Sequence, residues 1–138
     1  MVGAQVPILQ GALALGAHDA RRALAILDGA LPFDRPAGPW LQYLRGLAYE
    51  ALQDHRQAAD AFRAVVASRG NQPASVVRTM ARLQLARALR GAGDAERARQ
   101  AYADFAAAWR NADPRHVLGV AAAREAAALS AASVPARR

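Results

Sequence analysis

The chain has 138 residues, a formal net charge of +7, 54% hydrophobic residues and no cysteine. That length suits one compact unit or a short solenoid, and the missing cysteine excludes a disulfide framework, a thiolate metal site and a cysteine nucleophile. Alanine makes up about a quarter of the residues and aromatics 6%, a balance that favours closely packed helices over sheet, where alanine is depleted.

Apolar spacing predicts a first helix over 6–17 and a second over 20–30, joined by a tight turn at His18 and Asp19. The apolar stretch 6–15 has no basic segment before it, which argues against a signal peptide. No run approaches the ~20 apolar residues that span a bilayer, so a cytoplasmic protein without membrane contact is expected. Proline and glycine between 31 and 39 break the pattern, and Pro39 suits the first turn of the next helix. A second hairpin is predicted over 39–69, with Asp54 and Gln57 resembling a capping box at its turn. The loop 69–73 precedes a third hairpin over 74–110, whose turn holds Gly91, Gly93 and Asp94. Glycine permits a left-handed exit there, and the aspartate caps the following helix. Asp113 and Pro114 signal a capping helix over 115–131, and 133–138 is expected to be a disordered tail. The expectation is one helical repeat domain over 1–132.

These elements repeat. Asp19, Asp54 and Asp94 are each followed four residues on by alanine (Ala23, Ala58, Ala98) and eight on by a large side chain (Leu27, Phe62, Tyr102). Eight residues ahead of each aspartate stands a small one: Gly11, Gly46 and Ala86. A period of this length indicates stacked helical hairpins, because one hairpin cannot bury its apolar face without a neighbour. The alanines are expected where the two helices of a hairpin approach most closely, and the large residues in the gap between successive hairpins.

Leu85, Ala86, Leu89, Gly93, Ala98, Tyr102 and Phe105 follow the pattern of the tetratricopeptide repeat, which this chain resembles. Arg45 and Gln53 depart from it, one replacing an apolar residue and the other the turn glycine, and a one-residue weakening of register is expected there. The segment from Gly93 through Tyr102, Phe105, Trp109 and Pro114, with 43–49 and 69–70, is similar to the C-terminal repeats of bacterial eukaryotic-like serine/threonine kinases and winged-helix regulators. That resemblance implies an all-α, right-handed superhelix of three hairpins plus a capping helix, and either a scaffold or a detached regulatory region. The chain has no glycine-rich phosphate loop, no His-Arg-Asp loop and no Asp-Phe-Gly, so kinase chemistry is not implied.

No catalytic constellation emerges. His18, His55 and His116 are too dispersed for one metal site, and Glu50, Asp54, Asp60, Glu96 and Glu125 have no partner at a catalytic spacing. The expectation is therefore no enzyme and no cofactor. By the resemblance, the first helix of each hairpin lines a concave groove formed by Trp40, Tyr43, Leu47, Glu50, Met80, Leu83, Arg87 and Arg90, preceded by Ile8 and Ala12. Aromatics beside arginine are the usual composition of binding hot spots. A protein or peptide partner, acidic ones included, fits the charge and the arginines at 78, 82, 87 and 90. Nucleic acid is the rival reading, disfavoured by the lack of aromatic stacking partners nearby. Self-association through Val6, Ile8, Leu9 and Leu13 of the first helix is also expected.

Overall fold

The computed structural model describes residues 5–31, 39–68, 76–110 and 116–132. Among them are seven α-helices and no strand: α1 Gln5–Gly16, α2 Ala20–Gly29, α3 Pro39–Ala51, α4 His55–Ala67, α5 Val76–Gly91, α6 Ala95–Ala108 and α7 Val117–Ala132. The protein is all-α. Residues 32–38, 69–75, 111–115 and 133–138 lie outside the described residues, and with them the interior of the expected break 31–39, the expected loop 69–73 and the first residues of the third hairpin, the Asp113 and Pro114 helix start, and the expected tail.

Three of the turns are built alike. His18 (φ 61°), Gln53 (φ 60°) and Gly93 (φ 83°) each take the left-handed conformation. The amide of the following aspartate then reaches back to the carbonyl oxygen of Ala14, Tyr49 or Leu89, at 2.9 Å in each turn. The left-handed residue's own amide donates to Leu15, Glu50 or Arg90. This pair of bonds satisfies carbonyls that a helix end leaves orphaned. The same aspartate starts the next helix. Its Oδ1 accepts from the amide of Arg22, Gln57 or Arg97 at 3.1–3.3 Å, and its carbonyl accepts from Ala23, Ala58 or Ala98 at 3.0 Å. One residue thus ends one helix and begins another, which forces the two into an antiparallel pair.

Register holds at the second turn despite Gln53, since its hydrogen bonds match those of the other two. Arg45 is accommodated by its polar end: Nε donates to Asp28 Oδ1 at 2.9 Å, and the guanidinium lies 5.6 Å from the Tyr49 ring centroid. The expected weakening of register is absent, because the turn geometry is fixed by backbone bonds that glutamine can also make.

Packing runs in chain order. α1 pairs with α2, α3 with α4 and α5 with α6, while α2 packs on α3, α4 on α5 and α6 on α7. The first helices also touch one another, α1 on α3 and α3 on α5. Ala23, Ala58 and Ala98 are wholly buried, and Ala23 packs with Ala14 of its own hairpin and Ala48 of the next. Close approaches also occur at the glycines of the first two repeats. A Cβ added to Gly11 would stand 2.6 Å from Leu27, and one on Gly46 2.5 Å from Phe62. The large residue therefore fills a notch left by the glycine of its own hairpin. Leu27 also packs with Leu41 of the next hairpin, and Phe62 joins the main core with Ala58, Leu83, Ala86, Ala98, Tyr102 and Phe105.

Candidate functional site

α3 and α5 run side by side and bring several of the expected groove residues together. Trp40, in the first turn of α3, is 51% exposed and meets Tyr43 edge-on with ring centroids 5.9 Å apart. Tyr43 in turn stands edge-on to Phe62 at 5.7 Å, so the exposed indole is braced through one aromatic ring by the core. The Tyr43 hydroxyl reaches across to Gln84 of α5, with Arg87 close enough to act on it electrostatically. Burial raises the Tyr43 pKa above the ordinary phenol value, and Gln84 and then Arg87 oppose that rise. The result is a neutral phenol linking the two first helices.

Leu47 and Met80 are half-buried on these helices, and Leu47 packs against the main core. Glu50 sits at the far end of α3, its Oε1 3.0 Å from Nδ1 of His55. Leu83 offers nothing to a partner: it is 0% exposed. α5 is packed against α3, α4 and α6, and Leu83 is one of the residues it buries there. Ile8 and Ala12 lie half-buried on α1.

A second cluster forms where α5 meets α7. Arg87 Nε donates to both Glu125 oxygens, at 2.9 and 3.2 Å, and Arg90 approaches the same carboxylate at 3.6 Å. Tyr102 is 3% exposed, and its hydroxyl has no hydrogen-bond partner, nor has Nε1 of Trp109. Each such buried donor costs about 1–3 kcal/mol. The Tyr102 pKa is raised by burial first and by Glu125 second, against the lowering effects of Arg90 and Arg87. Trp109 stacks on Phe105 at 5.4 Å and meets His116 edge-on at 5.3 Å. A cleft of about 230 Å³ between α6 and α7 is lined by Tyr102, Phe105 and Trp109 with Gly119, Ala122 and Ala126.

Sequence reasoning placed Arg87 and Arg90 on the partner surface and missed what holds them. Glu125 lies 38 residues from Arg87, so no local spacing signals the pair. Gln84 carried no signal either, because its role depends on α3 and α5 lying side by side. Among the described residues no group of three or more His, Asp or Glu is arranged to hold a metal ion, and no helix is long and apolar enough to cross a membrane. The chain matches no protein-family model, and no curated protein matches it.

Proposed function

We propose that this protein is a non-catalytic binding module which holds a peptide or a partner domain against α3 and α5, on a tetratricopeptide-like right-handed superhelix of three hairpins. The observation that carries the reading is Trp40: a half-exposed indole set edge-on against Tyr43, which is itself backed by Phe62 of the core and has Gln84 and Arg87 of the neighbouring first helix close to its hydroxyl. Rigid aromatic anchors beside arginine dominate binding energy at protein interfaces. The three like turns and the glycine notches at Gly11 and Gly46 support the repeat architecture. A regulatory region of a kinase or winged-helix protein is the same module in another setting, and predicts such a domain encoded in frame.

Three of the four arginines of α5 already have acceptors, which counts against nucleic acid. Arg78 donates to the Ser68 carbonyl oxygen at 2.6 Å, and Arg87 and Arg90 face Glu125. The test is recovery of partners by wild type and by Trp40→Ala, with unchanged circular dichroism. Loss of a hot-spot residue weakens binding by about thirtyfold or more. Equal recovery by both chains would mean that α3 and α5 are not the binding face.

A further inference from the structure

α7 is the most thinly seated helix of the fold. Only Ala122 of its 16 residues is buried, and Val117 and Val120 are exposed. Beneath it the cleft lined by Tyr102, Phe105 and Trp109 is left open, and the Tyr102 hydroxyl and Trp109 Nε1 at this seam are withheld from water without compensation. α7 is held by Leu118, Ala126 and Leu129 packed against the main core, by the Glu125 carboxylate on Arg87 and Arg90, and by a small-residue face that lets Trp109 lie close. A Cβ at Gly119 would come within 3.0 Å of the indole nitrogen.

We infer that α7 is a displaceable occupant of a second binding surface on α5 and α6, and that this surface takes, in its place, a helix of a partner chain carrying a carboxylate on a small-residue face. The chemistry is read from the contact itself. Two arginines receive one acid, and stacked aromatics receive glycine and alanine. With α7 displaced, Arg87, Arg90, Tyr102, Phe105 and Trp109 form one surface of the composition that dominates interface energetics. The net charge of +7 steers acidic partners toward it. The inference deepens the binding reading above and rests on it for Arg87, which both surfaces share.

The experiment uses the full chain, its Glu125→Arg variant, and a labelled synthetic peptide of residues 116–132 as the probe helix. In Glu125→Arg, amide exchange in α7 should quicken about ten- to a hundredfold while α3 and α4 keep their protection. The peptide should bind this variant at least about tenfold more tightly than wild type, and a peptide carrying Arg in place of Glu125 should bind neither. Unchanged α7 exchange, equal affinity for the two chains, or binding of the arginine peptide overturns the inference. A wild-type dimer held by exchanged α7 helices also overturns it, since the occupant would then be a second copy. If Glu125→Arg exposes α3 or α4, Glu125→Gln is measured by the same criteria. The peptide readout needs no outside partner and does not involve Trp40, so it can fail while the α3 and α5 reading stands, and the reverse.

Discussion

Replacing Gly46 with alanine sets two effects of opposite sign against each other. In a helix interior the change should stabilise by about 0.8–1 kcal/mol through backbone propensity. In this fold the new Cβ would stand 2.5, 2.6 and 2.8 Å from three atoms of the Phe62 ring, where carbon atoms prefer about 3.5–4.0 Å. The ring would have to withdraw by about 1 Å to restore contact distance, and it has nowhere to go: Phe62 is 0% exposed and braced by Tyr43. Overpacking of this kind costs about 1–3 kcal/mol. Once propensity is subtracted, a net loss of up to about 2 kcal/mol remains. Thermal unfolding followed by circular dichroism should show Tm lowered, by up to about 8 °C. The same substitution made in a Phe62→Ala background removes the obstacle, so there it should stabilise. A rise in Tm for the single variant, or the same change in both backgrounds, would refute the notch as the reason for glycine.

Gln53→Gly should stabilise by about 0.5–1 kcal/mol, read from urea unfolding, because a non-glycine residue at φ 60° bears a left-handed penalty; Gly93→Ala should destabilise by a similar amount. Asp54→Ala removes the acceptor for the Gln57 amide and should cost about 0.5–2 kcal/mol in the same assay. Tyr102→Phe should stabilise at neutral pH by about 1 kcal/mol, since it deletes a buried donor that has no acceptor. Its pH dependence has a definite sign. The folded pKa of Tyr102 is raised, so ionisation adds no penalty to folding below the ordinary phenol value of about 10, and stability is lost as pH rises from there through the folded pKa. Unfolding midpoints measured from pH 8 to 11 should therefore fall less steeply in the phenylalanine variant.

The helical class was legible because its signals are local. An aspartate that ends one helix and caps the next must be short, an acceptor, and placed a fixed distance from the small residues around it, and Asp19, Asp54 and Asp94 show all of this in one dimension. The glycine notches were half legible. Their period was visible but not their depth, since nothing in a sequence states how deeply Phe62 or Leu27 reaches across its own hairpin. Gln53 looked like a defect because the left-handed preference of glycine is a matter of cost, and neighbouring backbone bonds can hold another residue there. The candidate face was less legible than the fold. Leu83 shares its helix with the other residues expected to line a groove, yet it is wholly buried. The Tyr43 to Gln84 and Arg87 to Glu125 links join helices distant in sequence, where helical periodicity carries no information.

A photo-crosslinking side chain placed at position 80, where half-buried Met80 lies on the proposed face of α5 and Trp40 is left intact, tests the binding face most directly, with the same group at Arg63 on the exposed side of α4 as the control. The account predicts a defined protein adduct from position 80 that is competed away by unlabelled wild-type chain and absent from position 63. Adducts of equal yield from the two positions, or adducts at 63 alone, would contradict it.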